Sequence, residues 1–397
     1  MEFSNRLKSL PTQFFATLVE KVNKAEAEGR DVIKLGQGNP DQPTPDHIVK
    51  ALQQSAADPQ THKYSPFRGT AELKQAAADF YKREYNVDID PETEVAILFG
   101  TKIGLVELPL ALMNEGELML LPDPGYPDYL SGVGLADVRF DVMPLVRENG
   151  FLPDYDKLSP EQLEEAKLLY LNYPNNPTGA TASKEFFEET VKLGKEHGIG
   201  IVHDFAYGAI GFDGKKPVSF LEADGAKDTG IELYTLSKTY NMAGWRIGFA
   251  VGNAKMIEAI NLLQDHLFVS MFPAIQHAAA VALTEDQTCV DELVQLYEGR
   301  RNALIAECKR IGWDVEAPQG SFFAWLPVPK GFTSEEFADF LLEKADVAVA
   351  AGKGFGSFGE GYVRIGLLVD EERLKEAVQR IEKLNIFIKD ENYQKYS

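Results

Sequence analysis

Apolar residues recur at helical spacing at Phe14, Leu18, Val22 and Ala25, which predicts a helix over 13–27 ended by Gly29. Residues 31–37 read as a short extended segment. Pro45 opens a helix that runs to Ala56, and Thr70 caps another that ends at Tyr85. From Glu94 the pattern changes to short apolar runs broken by polar turns, which predict strands. They fall at 94–99, 117–121, 138–143, 167–171, 199–203, 231–236 and 246–251, with helical patterns such as 183–197 between several of them. This rhythm predicts an α/β fold with a mostly parallel sheet of about seven strands and helices on both faces. Long helical patterns follow at 254–267 and 289–311. Short strands at 322–326, 347–350 and 362–367 then mix with two helices; the last, opened by Asp370, carries Leu374, Ala377, Val378 and Ile381 on one face. That change predicts a smaller α+β domain, so the expected division is 41–288 for a large domain and 1–40 with 289–397 for a small one.

The 397 residues are 44% hydrophobic, enough for a sizeable core, and the 25% of charged residues are spread along the chain. A net charge of −21 argues against nucleic acid or an anionic membrane as partner, since either needs a basic face. No apolar run reaches the ~20 residues of a membrane span. The first residues lack the basic and apolar regions of a signal peptide, so a soluble cytoplasmic protein is expected. Cys289 and Cys308 are too few and too far apart for a disulfide framework or a metal site. Asn176 precedes proline and is no glycosylation acceptor.

Candidate chemistry collects where strands end, which is where ligands of such sheets bind. The stretch 231–246 starts as an apolar strand and breaks at Ser237. Lys238 sits just beyond; a partly desolvated lysine loses its proton readily and attacks carbonyls. Ser237 and Arg246 beside it suit an anion such as a phosphate. Together they meet the demand of an aldehyde cofactor with a phosphate, pyridoxal phosphate; the alternative is an ordinary surface lysine after a strand. Gly100-Thr-Lys-Ile-Gly104 joins a strand directly to a helix, and such a turn either presents free N–H groups to a phosphate or simply turns. Gly36-Gln-Gly-Asn-Pro-Asp41 can bind a carboxylate or serve only as a turn.

Asp204 follows a strand of buried character, where a carboxylate needs a partner. The pyridine nitrogen of the cofactor is one, and local N–H groups are another. His203 points to the opposite strand face and reads as a supporting residue. Tyr207 and Asn176 can hold the ring's phenolic oxygen, although 175–179 also reads as an ordinary turn, and Tyr126 can stack on the ring or be a plain loop aromatic beside Pro and Gly. Arg364 interrupts an apolar strand and needs an anion, either a substrate carboxylate or a structural ion pair. Gly354-Phe-Gly-Ser-Phe-Gly359 matches a dinucleotide-binding pattern, but it leads into a strand and reads as a loop.

These motifs, in this order, resemble the class I/II aminotransferases, which are fold-type-I pyridoxal-phosphate enzymes. The resemblance covers nearly the whole chain. It is carried by Gly36-Gln-Gly-Asn-Pro-Asp41, Asp123-Pro-Gly-Tyr-Pro127, Tyr173-Pro-Asn-Asn-Pro-Thr-Gly179, Asp204-Phe-Ala-Tyr207, the stretch from Ser237 through Arg246 to Gly248, and Tyr362-Val-Arg-Ile365. It implies Lys238 as the Schiff-base lysine and proton carrier, and Asp204 on the pyridine nitrogen. It implies Asn176 and Tyr207 at the phenolic oxygen, and Tyr126 against the ring. Thr101, Lys102 through its backbone, Ser237 and Arg246 would hold the phosphate. Tyr64 would reach the phosphate of a neighbouring subunit, which implies a homodimer with shared active sites. Gly38, Asn176 and Arg364 would take the substrate α-carboxylate. Thr235 and Ala351 depart from the family's usual Ser or Gly and proline, and neither removes a chemical group.

Within the family the chain is similar to bacterial methionine aminotransferases, which aminate 2-oxo-4-methylthiobutanoate in methionine salvage. The longer matches are Leu10-Pro-Thr-Gln-Phe-Phe15, His62-Lys-Tyr-Ser-Pro-Phe-Arg-Gly69 and His203 to Gly214. Dicarboxylate-specific relatives bring a second arginine from the segment after the lysine strand. Here 265–273 has no arginine and is largely apolar, which fits an uncharged side chain. Phe14 and Phe15 either line the substrate pocket or pack in a helix core. The alternatives are aminotransfer to LL-diaminopimelate, aromatic amino acids or alanine, a C–S lyase, and, more remotely, a non-catalytic cofactor-sensing module.

Overall fold

The apolar runs become strands because both faces of the sheet they form are covered by helices. The computed structural model describes residues 2–11 and 14–387. Among these the strands are β1 (Ile33–Lys34), β2 (Val95–Leu98), β3 (Leu118–Asp123), β4 (Arg139–Pro144), β5 (Ala166–Leu171), β6 (Gly200–Asp204), β7 (Gly230–Thr235), β8 (Gly248–Gly252), β9 (Phe323–Pro327), β10 (Val347–Ala348), β11 (Ala350–Ala351) and β12 (Tyr362–Gly366). A seven-stranded sheet has the order β2-β8-β7-β6-β5-β3-β4. All its pairings are parallel except those of β8, which runs antiparallel to both β2 and β7. One edge of the sheet therefore holds the C-terminal ends of the parallel strands together with the start of β8.

A second sheet, β11-β12-β9, is antiparallel, and its helices Ser334–Ala345 and Glu371–Glu382 close a separate apolar core around Phe337, Leu341, Leu374 and Ile381. The apolar stripe foreseen on the last helix is buried there. β1 pairs with β10, which ties the early chain to this unit. The apolar run 347–350 thus serves two sheets in turn, β10 in one and β11 in the other. The first long helix is Phe14–Ala27; Gln13, where the periodicity starts it, lies outside the described residues.

Helices Tyr129–Ala136, Pro160–Glu165 and Pro273–Thr284 carry weaker sequence signals. The first contains Gly132 and Gly134, poor helix formers, and its position follows from packing. A Cβ at Gly132 would come within 2.9 Å of Pro109 in the helix Thr101–Leu112. The strand expected to start at Arg246 begins at Gly248, because Arg246 adopts a left-handed backbone, φ 54°. Among the described residues no helix is long and apolar enough to cross a membrane.

One buried polar network fixes the centre of the large sheet. Glu232 accepts hydrogen bonds from Tyr81 Oη (2.7 Å), Ser219 Oγ (2.6 Å) and the Phe220 amide (2.7 Å), and its other neighbour is His203 Nδ1 at 2.7 Å. His203 Nε2 accepts from the Tyr173 amide at 3.1 Å, so Nδ1 carries the proton towards Glu232. His203 thus faces away from Asp204 and supports the turn that follows β5. Glu232→Ala leaves all these buried donors without an acceptor. It should lower unfolding free energy by roughly 3 kcal/mol or more in urea titrations; a loss below about 1 kcal/mol would mean that the network is not what holds this region.

Candidate active site

A cavity of about 320 Å³ opens at the shared sheet edge, between the large sheet and β9 and β12. Its walls include Gly38, Thr101, Lys102, Tyr126, Asn176, Asp204, Tyr207, Ser237, Lys238, Arg246 and Arg364. Every site residue inferred from the sequence is therefore brought together, except Tyr64. Tyr64 is 85% exposed on this chain and does not line the cavity.

Local structure explains each placement. Lys238 and Ser237 lie on one short helical turn, Leu236–Thr239, that follows β7 directly; Thr235 caps it by accepting from the Ser237 amide. Asp204 is the last residue of β6. Arg246 reaches the same edge because β8 runs the other way, so the residues just before it lie where its neighbours end. Gly100, at φ 86°, starts the helix Thr101–Leu112, and no side chain caps that helix. A Cβ at Gly100 would overlap the Arg246 guanidinium, so glycine lets the arginine lie across the helix N-terminus. Two cationic features, the guanidinium and the helix dipole, thus point at one spot.

Lys238 Nζ donates to Gly38 O at 3.0 Å. Burial, and then the positive charges of Arg364 and Arg246, pull its pKa down to about 8, against a smaller opposing effect of Asp204. Asp204 is buried, and its carboxyl is pushed up to about 6 by desolvation. Tyr129 Oη donates to Asp204 Oδ2 at 2.9 Å and counters that rise, while Oδ1 has no partner among the described residues. Asn172 Nδ2 holds the Asp204 carbonyl at 2.7 Å, and Asn172 Oδ1 accepts from the Asn176 amide at 2.8 Å.

Arg364 is deeper than its interrupted strand suggested, only 1% exposed. Among the described residues no carboxylate pairs with it, against the ion-pair alternative. Its guanidinium donates to Asn176 Oδ1 (2.8 Å) and Gly36 O (2.9 Å) and lies among the rings of Phe323 (3.9 Å), Phe355 (4.7 Å) and Phe15 (5.1 Å). Phe15 lines the cavity, whereas Phe14 packs on Phe15 and Phe355. The Lys102 side chain is paired with Asp128 at 2.9 Å.

Tyr129 and Asn172 escape the sequence reading. Asn172 follows β5 directly, so the strand-end rule could have found it. Tyr129 gives no such signal, since its partner lies 75 residues away.

The family model for aminotransferases of class I and II matches residues 30–381. The chain belongs to the class I and II aminotransferases. It is 68% identical to the L-glutamine–4-(methylsulfanyl)-2-oxobutanoate aminotransferase of Bacillus subtilis, over 97% of each chain. It is 45% identical to an LL-diaminopimelate aminotransferase of Syntrophobacter fumaroxidans, over 96% of this chain and 98% of that one. The solved apo structure of BacF from Bacillus subtilis superposes with a TM-score of 0.94 at 50% identity, covering 98% of this chain and 100% of the other. As an aminotransferase, the protein is an enzyme of a pyridoxal-phosphate-dependent family.

The charges in the aminotransferase cavity generate a direct expectation. In the cofactor-free protein, acylation of Lys238, mapped by peptide mass analysis, should reach half its maximal rate near pH 8. Arg246→Ala or Arg364→Gln removes a neighbouring positive charge, so the protonated amine becomes easier to keep and the midpoint should move up. A midpoint that stays put in both variants would leave burial as the sole cause.

Proposed function

We propose that this aminotransferase moves an amino group onto 2-oxo-4-methylthiobutanoate to make L-methionine, using pyridoxal phosphate held in the cavity around Lys238. One observation carries the cofactor assignment: a buried carboxylate with one unpartnered oxygen shares the cavity with a lysine of depressed pKa. A protonated ring nitrogen is a fitting partner for Asp204 Oδ1, and its positive charge would favour the carboxylate form that burial opposes. Thr101, the backbone of Lys102, Ser237 and Arg246 would hold the phosphate, Asn176 and Tyr207 the phenolic oxygen, and Tyr126 the ring face. When bound, the cofactor supplies an aldehyde that captures the substrate amine and a ring that accepts the electrons released at the α-carbon.

The chain's own residues then have distinct tasks. Arg364, with Asn176 and Gly38, grips the α-carboxylate through the planar fork that lysine lacks. Lys238 Nζ takes the proton from the substrate α-carbon, as a base whose pKa lies near working pH. Asp204 would keep the ring nitrogen protonated, and Tyr129 holds that carboxylate in place. Phe15 and Phe323 offer an apolar surface to the side chain. Lys102 is neutralised by Asp128, so a second substrate carboxylate would find no unpaired lysine at that wall. The name of the Bacillus relative supports 2-oxo-4-methylthiobutanoate as acceptor and L-glutamine as donor.

The same reading includes a cytoplasmic homodimer with shared active sites, in which Tyr64 completes the neighbour's phosphate site. Tyr64, Phe67, Leu262, Leu267, Val269 and Phe272 are large apolar side chains exposed on the single chain, which supports a covering partner. It also includes the division into a large domain, 41–288, and a small one, 1–40 with 289–397.

The loaded enzyme should lose its visible colour on addition of L-methionine and recover it with a 2-oxo acid. A coloured protein indifferent to methionine but bleached by another amino acid keeps the chemistry and discards the substrate. Lys238→Ala should abolish turnover, and ordinary turnover by that variant would sink the assignment. Arg364→Lys should raise KM for methionine about tenfold or more, because the bidentate fork is lost; an unchanged KM places the carboxylate elsewhere.

A further inference from the structure

The glycine-rich stretch Gly354-Phe-Gly-Ser-Phe-Gly359 does bind an anion, but the anion is the protein's own. Asp123, the last residue of β3, is 5% exposed. Its Oδ2 accepts from the Ser357 amide (3.0 Å) and Ser357 Oγ (2.9 Å), and its Oδ1 from the Phe358 amide (3.0 Å). Two residues on, the Gly125 amide donates to Phe355 O at 2.8 Å. The glycines are there for close approach. A Cβ at Gly356, whose φ is 133°, would overlap the Asp123 carboxylate, and one at Gly354 would overlap the Phe14 ring.

A buried carboxylate held by three neutral donors is costly, because desolvation opposes its charge. What it holds lies beside the cavity. The loop carries Phe355, which is buried, with its ring 4.7 Å from the Arg364 guanidinium and 5.9 Å from Phe15. Phe15 is the cavity-lining ring at the start of the helix Phe14–Ala27. Its aromatic neighbours are Phe14 at 5.1 Å and Phe355. Phe355 also packs on Phe14 (5.6 Å) and Trp325 (5.9 Å), so the wall rests on Phe355 and the loop that carries Phe355 is tied to Asp123. The same strand end leads to Tyr126, which also lines the cavity.

We propose that Asp123 is a positioning residue for side-chain selection: by anchoring the 352–359 loop to β3 it holds Phe355 against Phe15 and so sets the apolar wall that the substrate side chain meets. This rests on the apolar-substrate reading above. None of these groups reaches the reacting atoms, so the consequence is a change in selectivity along a chain-length series.

The test uses the loaded enzyme and the half-reaction with L-alanine, L-2-aminobutyrate, L-norvaline and L-norleucine, followed by absorbance. In the unaltered enzyme kcat/KM should rise about fourfold per added methylene, the value of burying one such group. Asp123→Asn puts an amide N–H₂ where donors already point. The rise should fall to about twofold or less per methylene, while L-alanine stays within about twofold and cofactor content is kept. Phe15→Ala should flatten the series as well, and the double variant should be no flatter than Phe15→Ala alone, because the two act through one wall. Asp123→Asn with the full rise, or with an equal loss for every member of the series, overturns the proposal. No rise in the unaltered enzyme would overturn the apolar-substrate reading and the wall with it. Where Asp123→Asn fails to fold, Phe355→Ala removes the ring the loop carries; it must flatten the series too, and an intact rise in that variant overturns the proposal.

Discussion

The cavity holds more positive charge than the protein neutralises itself. Lys238, Arg246 and Arg364 line it with the carboxylate of Asp204, while Lys102 is matched by Asp128. The surplus stands in a chain whose net charge is −21, so local structure gathers it against the overall balance. Bringing cations together in a partly dry site is unfavourable, because their mutual repulsion is poorly screened there. Anions that enter relieve it. On the proposed function, a phosphate at Arg246 and the N-terminus of the helix Thr101–Leu112, and a carboxylate at Arg364, would satisfy the two arginines. Lys238 gains from the same surplus, since the neighbouring charges help to keep its amine unprotonated.

Topology is what lets one sheet edge carry so much chemistry. Parallel strands place Asp123, Asp204 and the lysine turn on the same side, but Arg246 belongs to a strand start. The antiparallel insertion of β8 between β2 and β7 brings that start to the edge where the others finish. The left-handed backbone at Arg246 then turns the chain before the strand begins. A wholly parallel sheet would put Arg246 at the far edge, a full strand length from Lys238.

Much of this was legible in the chain because strand runs and their polar ends are local signals. The apolar runs located the strands of the large sheet to within one or two residues. The rule that ligands meet such sheets at strand ends singles out Asp204, Ser237 and Lys238 from the sequence alone. What could not be read was pairing. Nothing near Tyr129 announces that its hydroxyl meets Asp204, and nothing near Asp123 announces the amides of Ser357 and Phe358. Arg364 shows both sides of this. Its place in an apolar strand signalled a need for an anion, whereas its full burial, with no carboxylate partner among the described residues, required the second sheet to be folded against the first.

The Gly354–Gly359 stretch shows why a pattern of glycines is weak information without its context. Exposed backbone N–H groups hold anions wherever a loop turns tightly, and they do not distinguish a cofactor phosphate from a side-chain carboxylate. The strand that follows decides against a nucleotide, since no helix dipole faces the turn. Packing then supplies the positive meaning: the N–H groups of Ser357 and Phe358 close on Asp123, and the loop becomes a joint between the two sheets. Positive charge at the sheet edge suits a part common to every amino acid, the α-carboxylate. Discrimination among side chains has to come from surfaces that such charge does not reach. The aromatic wall beside Arg364 is such a surface, and its geometry is only as firm as the joint that holds it.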